Sequence, residues 1–516
     1  MADHTLYDVI GIVVSRADSA STHIGEQLRE LREWTPQTDT TRPDGDGGGT
    51  YYQTEGFELR TFDEWHIELD DPAAVFSELP AFIAFVSRHS GDSGKLLTAH
   101  VTGNFGPATY GGESKTLANP APGAVSRVVD HLATHAPAGY DVGIECTHHG
   151  PTSVSVPSLF VELGSDEPQW TDTTAARAVA KSVLELAGTG PDLHGGTPSG
   201  GTDAGDSPRH VVGFGGGHYA PRFTRIVRET DWAVGHIGAA WALDEMGPPT
   251  ANTAVLDQAF ERSRTELAVI DGDRPALTAV LEDRGYRVVS ETWLRAVGER
   301  PLSLVDRLEQ RIATVADGLR FGSVTPESLD SVTIEPIPEE LVSRAYGIDA
   351  DATNEVVRAT TVAFDTEQAG SRATRSAAVA TTASTPGYAD LVDGLVSVLE
   401  TGYDEVRVII EDEPNSAPND GANGTSTTRE ITGSDRETSD PDSEMTGSDI
   451  PIAVVAQETA FDPDLARERG VPEGPAFGRL AGGTPVEIAD GTTIRPADVS
   501  RDRTDRFPIP DEVTLQ

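Results

Sequence analysis

The sequence predicts an α/β protein: a mixed, mostly parallel sheet flanked by helices, with a smaller C-terminal α/β region and a disordered acidic linker. Three observations lead there. Short, continuously apolar, β-branched runs alternate with segments of helical period from residue 7 to about residue 298. Those runs lack polar alternation, as strands covered on both faces do. Composition then shifts after Met246, and all 13 histidines lie at or before His236.

Each element follows from local pattern. "YDVIGIVVS" (7–15), "AFIAFVS" (81–87) and "KLLTAHVTG" (95–103) read as buried strands. "GAVSRVVDHLATHA" (123–136) has helical spacing, and "DVGIECTH" (141–148) and "SLFVELGS" (158–165) return to strand. "TDTTAARAVAKSVLELA" (171–187) is a helix opened by a Thr/Asp cap. "HVVGFGGG" (210–217) and "DWAVGHIG" (231–238) complete the sheet, and residues 266–298 supply a closing helix and strand. Gly, Pro and Asp clusters at 38–50 and 190–208 read as surface insertions. Residues 299–411 form an accessory region with a helix near "LVDRLEQRIATVADGL" and strands at "SVTIEPI" and "EVRVIIE". Residues 412–449 are polar, acidic and almost free of large apolar side chains, too little to offset the entropy of ordering. Residues 450–516 form a last segment without an assigned role.

Charge excludes some partners. There are 84 acidic against 39 basic residues among 516, a net charge of −45, and lysine occurs only at positions 95, 115 and 181. An acid excess spread along the whole chain suits a surface that stays hydrated in strong salt, where the Debye length shrinks to about 3 Å. A halophilic cytoplasm is therefore expected, with no membrane and no DNA as partner. The single cysteine, Cys146, rules out an internal disulfide and any multi-cysteine metal site. No basic leader with a long apolar run opens the chain, so a soluble protein is expected, as monomer or small homo-oligomer.

Chemistry-bearing residues gather where strands end, the usual ligand edge of an open α/β sheet. His100 closes one strand, "THHGPTS" follows another, Glu162 closes a third, "GGGHYAPRFTR" (215–225) a fourth and His236 a fifth. The glycine turn places backbone N–H groups where an oxyanion or phosphate can approach, and His218 and Tyr219 follow it directly. Lys115 is conspicuous in a protein that otherwise uses arginine, and Arg222 and Arg225 are candidate contacts for an anionic substrate. His148 and His149 should face opposite ways in an extended chain, unless the Gly150-Pro151 break turns the second toward the first. His89, His131 and His135 read as ordinary loop or helix histidines. No HExxH pattern occurs, so a metal would draw N/O ligands from separate strands.

"HVTGNFG", "ECTHHGPTSVSVPSLFVELGS" with the following Trp170, and "GFGGGHYAPRFT" with the later "GHI" resemble the archaeal and plant type of D-aminoacyl-tRNA deacylase. The similarity runs from about residue 7 to about residue 298. It implies hydrolysis of the ester joining a D-amino acid to the tRNA 3′ end. It also implies a core similar to peptidyl-tRNA hydrolase and nucleoside phosphorylase folds, and Zn²⁺ as cofactor. Carried over by motif, His100, Glu145, His148, His149, Glu162, His218 and His236 are the metal or catalytic candidates. The match does not divide them; His148, His149 and His218 are read as catalytic, and His100, Glu145, Glu162 and His236 as metal ligands. Asn104, Thr152, Gly216, Gly217 and Tyr219 become substrate contacts. The D-aminoacyl-tRNA 3′ end is then the expected partner. A metal-dependent hydrolase of other aminoacyl- or peptidyl-tRNA adducts, and a non-catalytic tRNA-end binding module, are the alternatives. Residues 470–499 are similar to a short segment of tRNA 3′-processing endonucleases of the metallo-β-lactamase type, without their HxHxDH motif.

Overall fold

Residues 9–194, 208–381, 387–411, 428–432 and 450–510 are described by the computed structural model. They fall into two compact units, Met1–Leu302 and Ser303–Gln516.

The first unit holds β1 (Ile10–Ser15), β2 (Thr35–Asp39), β3 (Gly49–Thr54), β4 (Phe57–Phe62), β5 (Phe82–Arg88) and β6 (Leu96–His100). A short ribbon, β7 (Gly103–Asn104) with β8 (Thr116–Leu117), precedes β9 (Asp141–Ile144) and β10 (Ser158–Gly164). Eight of these form one sheet in the order β2-β3-β4-β1-β5-β10-β6-β9. Its centre, β4-β1-β5-β10, is parallel, while β6 runs antiparallel to β10 and parallel to β9. The three helices Ser19–Leu31, Pro122–His135 and Thr173–Leu184 pack on one another and on the strands beneath. The opposite face carries Val13, Ile83, Phe85 and Phe160 into an apolar cluster with Phe62 and Phe76.

Two expectations change here. The segment 38–50 is no free loop: Asp39 pairs with Gly49 in the β2–β3 hairpin. The hairpin is anchored by Arg60, 2% exposed, which donates to Asp39 Oδ2 and Gly47 O at 3.0 Å each and to Glu58 Oε1 at 2.7 Å. The expected single sheet is two sheets. β11 (His210–Gly215), β12 (Ala233–Gly238), β13 (Leu267–Asp271) and β14 (Arg287–Val288) form a separate parallel sheet, ordered β12-β11-β13-β14. The chain leaving β9 crosses to it, with Thr147 N donating to Ile237 O at 2.9 Å. Of the insertion at 190–208, residues 195–207 lie outside the described residues.

The second unit contains two four-stranded antiparallel sheets. β15 (Arg320–Phe321), β16 (Val332–Pro336), β17 (Ala363–Glu367) and β18 (Arg372–Ala380) run in the order β15-β17-β18-β16. β19 (Glu405–Glu411), β20 (Thr428–Thr432), β21 (Ile450–Phe461) and β24 (Ser500–Pro508) run β20-β19-β21-β24, and β22 (Val486–Glu487) pairs with β23 (Thr493–Ile494). Leu341, Leu395, Val408, Val454 and Phe507 share one core, so segments read separately as 299–411 and 450–516 fold together. Within the stretch read as a linker, residues 428–432 pair with β19; residues 412–427 and 433–449 lie outside the described residues.

Candidate active site

A polar row crosses three neighbouring strands of the first sheet. Ser87 on β5 is in register with Glu162 on β10, and Glu162 with Thr98 on β6. Side chains two apart share a face, so Phe85, Phe160 and His100 stand beside them. The site therefore lies on a sheet face near one edge, and not at five parallel carboxyl ends, because β6 and β9 run against β10.

Two buried carboxylates organise it. Glu145 Oε1 accepts from Thr98 Oγ1 at 2.5 Å and from His89 Nδ1 at 3.0 Å, and its Oε2 accepts from His218 Nε2 at 2.8 Å. Glu162 Oε1 accepts from Ser87 Oγ at 2.8 Å, and its Oε2 lies 3.5 Å from His89 Nδ1. Burial alone would raise both carboxyl pKa values; hydrogen bonds from His218 and His89 at Glu145, and the neighbouring His100 and His89 rings at Glu162, outweigh it and hold both below the ordinary range. For His89 burial likewise opposes the charged form, and the two carboxylates overcome it, pushing the ring up to about 11. His89 is thus a cation between two anions, although the sequence marks it as a plain loop residue. One net negative charge remains, so the site favours a further cation, proton or metal. His100 feels this most: burial lowers its pKa but Glu162 raises it more.

Three other ring nitrogens face that charge. His100 Nδ1 lies 3.1 Å from Val101 O, His148 Nδ1 2.7 Å from Cys146 O, and His149 Nδ1 2.6 Å from Gly150 O. A carbonyl only accepts, so each Nδ1 carries a proton; a neutral ring then presents an Nε2 lone pair, and the raised pKa of His100 means that it must first give up its second proton. His100 Nε2, 3.5 Å from Glu162 Oε1, is buried without a hydrogen-bond partner. Ring centroids are 4.7 Å apart for His100–His148 and His100–His149, and 4.4 Å for His148–His149. Burial, then neighbouring histidines, hold His148 well below its usual pKa and His149 at about 4, so both are neutral. The ligand atoms of His100, His148 and His149 all lie within 4.8 Å of one another, and those of His100, Glu145 and Glu162 do likewise. Neutral imidazoles pinned at the far nitrogen, with carboxylates behind them, fit a divalent cation such as zinc. Both of the adjacent histidines reach the basin because the strand ends at Ile144, and alternation no longer applies beyond it.

His218 is delivered by the glycine turn. Gly215 and Gly216 have φ of 91° and 69°, and a Cβ on either would meet Asp271 at 2.0 and 2.6 Å. The glycines thus set a close passage rather than a cradle, and Gly216 and Gly217 lie outside the cavity wall. The His218 side chain keeps 31% exposure, against 14% for His148 and 11% for His149. The Tyr219 hydroxyl accepts from His89 Nε2 at 3.2 Å.

Other expected contacts stand elsewhere. His236 sits inside β12, its Nε2 2.9 Å from Ala118 O and its Nδ1 3.2 Å from Thr147 Oγ1. With both nitrogens engaged it is a buried structural histidine, not a metal ligand. Lys115 Nζ donates to Asn252 Oδ1 at 2.5 Å and is absent from the basin wall. Arg222 donates to Ile270 O at 2.8 Å, and Arg225 makes a paired contact to Glu291 at 2.9 and 2.6 Å, so both are committed to the protein. Thr152 Oγ1 accepts from Glu113 N at 2.9 Å and fastens a loop. Asn104 lines a cavity of about 250 Å³ that shares Tyr110, His148 and Trp241 with the basin, itself about 590 Å³. Tyr110, 62% exposed, and Trp241, 39% exposed, stand at the rim; no pattern in the sequence singles them out.

Residues 76–289 match the family model described as D-aminoacyl-tRNA deacylase. A D-aminoacyl-tRNA deacylase of Halorubrum lacusprofundi is 59% identical, over 97% of each chain. One of Natronomonas pharaonis is 46% identical over 97% of this chain and 100% of its own. A crystal structure of a conserved protein of unknown function is 27% identical, with TM-score 0.47, and covers 57% of this chain and 98% of that one.

Proposed function

Since the chain belongs to the D-aminoacyl-tRNA deacylase family, hydrolases of the aminoacyl-tRNA ester bond, we propose that this basin is where it frees tRNA from a D-amino acid. The reaction returns the tRNA for recharging and acts as a chirality checkpoint. The observation that carries the reading is the set of three histidines, each tied at Nδ1 to a carbonyl with Nε2 turned toward two buried carboxylates, with His218 held at the open side by Glu145.

Zinc is part of the proposal. His100, His148 and His149 would hold it, with Glu162 or Glu145 beside them. Bound there, it would polarise the ester carbonyl and lower the pKa of a water toward about 7. The remaining work falls to the chain's own groups. Glu145 fixes the His218 ring, and His218, the most exposed histidine of the set, takes a proton from the attacking water and returns one to the departing ribose oxygen. His89 holds both carboxylates in place. Tyr110 and Trp241 offer stacking faces to the unpaired bases of the 3′ end, which suits a solvent in which long-range attraction to phosphate is screened. The acid-rich surface suits a salt-rich cytoplasm; among the described residues no helix is long and apolar enough to cross a membrane.

The test is release of tRNA from D-Tyr-tRNA and from L-Tyr-tRNA by the pure protein in strong KCl. Turnover of the D-ester alone is expected; equal rates would remove the chiral claim, and tight binding without turnover would favour a tRNA-end binding module. Metal analysis before and after chelation, with activity recovered on adding Zn²⁺, tests the cofactor.

A further inference from the structure

We infer that Arg88 is the basin's phosphate anchor: its guanidinium takes the phosphodiester on the 5′ side of the terminal adenosine and so positions the ester over the histidines. The inference rests on the ester-hydrolysis reading above.

Arg88 is the last residue of β5, directly before His89, and lines the 590 Å³ cavity with Trp65, His148, His149 and His218. Its guanidinium carbon lies 4.5 Å from the centroid of the Trp65 ring and 4.8 Å from that of Trp170. The Trp170 ring is itself pinned, its Nε1 donating to His89 O at 2.9 Å. Stacking engages the flat face of a guanidinium and leaves the N–H edges to other partners.

Those edges have no partner among the described residues: Arg88 contributes only its backbone N–H to the hydrogen bonds, donating to Asp18 Oδ2 at 2.8 Å. The Asp18 carboxylate, which also lines the cavity, is occupied as a helix cap, its Oδ1 accepting from Ala20 N at 2.9 Å and Ser21 N at 3.2 Å. Many arginines of this acid-rich unit are met by carboxylates, as Arg16, Arg60, Arg225, Arg284 and Arg295 are, while Arg29, Arg32 and Arg262 donate to uncharged oxygens instead. The Arg88 charge acts on the buried Asp18 carboxylate at a distance, but a planar cation kept beside two tryptophans with no hydrogen-bonded partner for its edges is preorganised for a tetrahedral or planar oxyanion. In strong salt only a close, desolvated contact of this kind retains its strength. The substrate brings such a group one ribose away from its ester. A terminal adenosine in the basin therefore places its 5′ phosphodiester within the reach of the wall.

The experiment compares 3′-D-tyrosyl esters of adenosine and of adenosine 5′-methyl phosphodiester, hydrolysed by the full chain in KCl. Charge-assisted hydrogen bonds contribute about 1.5–3 kcal/mol, so kcat/KM should favour the phosphodiester by roughly ten- to hundredfold. Arg88→Ala should abolish this preference through KM, bringing kcat/KM for the phosphodiester down to that for the plain adenosine ester. Arg88→Lys should recover part of it. The adenosine ester serves as the control for folding, and the wild-type preference needs no variant at all. No wild-type preference for the phosphodiester would overturn the assignment, and so would an Arg88→Ala loss shared equally by both esters. A D-aspartyl adenosine ester supplies the other arm: if Arg88→Ala costs activity on it alone, the guanidinium reads an amino-acid carboxylate and not a phosphate. If no ester is hydrolysed by wild type, the functional reading itself fails, and this inference with it.

Discussion

His89 Nδ1 lies 3.0 Å from Glu145 Oε1, and this one contact joins two strands' worth of buried charge. The same nitrogen is 3.5 Å from Glu162 Oε2, so a single ring offsets the repulsion between two buried carboxylates. His89→Ala should therefore destabilise the fold by about 3 kcal/mol or more and depress turnover as the carboxylates part. Urea unfolding in KCl reads the first effect and steady-state rates the second. A variant with wild-type stability would show that the pair tolerates its own repulsion.

Glu145→Gln keeps the shape of the side chain and removes its charge. His218 then loses the acceptor that orients it, and kcat should fall by about a hundredfold with KM little changed. A fall confined to KM would mean that Glu145 serves binding.

The structure separates His236 from the other histidines of the motifs. His100→Ala, His148→Ala and His149→Ala should each lower zinc stoichiometry in metal analysis. His236→Ala should keep its metal and lose about 1–3 kcal/mol, the cost of leaving Ala118 O and Thr147 Oγ1 without their partner. Metal loss from a folded His236→Ala protein would return this residue to the ligand set.

Acid should unfold the first unit through its buried neutral histidines. Burial pushes His236 down to about 3 and His210 to about 4, against 6.5 for a free ring. The unfolded chain takes up these protons first as pH falls. Their contribution is thus complete above pH 6.5 and is lost progressively between 6.5 and about 3. Thermal melts at constant KCl should show the decline, and His236→Phe should flatten it if the variant folds. A Tm that is constant from pH 7 to 4 would contradict the assignment.

Much of the site was legible because local pattern fixes strands, and strand ends fix neighbours. "KLLTAH" and "SLFVEL" are apolar enough to be buried on both faces, and the polar residue interrupting such a run, Glu162, must be functional or paired. His89 escaped notice for the converse reason. It follows β5 in a loop whose local sequence carries no sign that Glu145, 56 positions later, stands opposite. Tyr110 and Trp241 likewise gain meaning only from the cavities they share.

The sequence by itself determined the α/β class, the strands that carry the site residues, the acid excess and the family, since these rest on composition, period and contiguous motifs. Tertiary structure alone decided how many sheets there are, since strand pairing joins residues far apart in the chain. It also decided which histidines share the basin. His236 and His148 carry the same chemistry in sequence, and differ because the carbonyl of Ala118 meets one ring where open space meets the other. A nitrogen that is already bonded cannot bind a metal, and only the folded chain says which nitrogens are bonded.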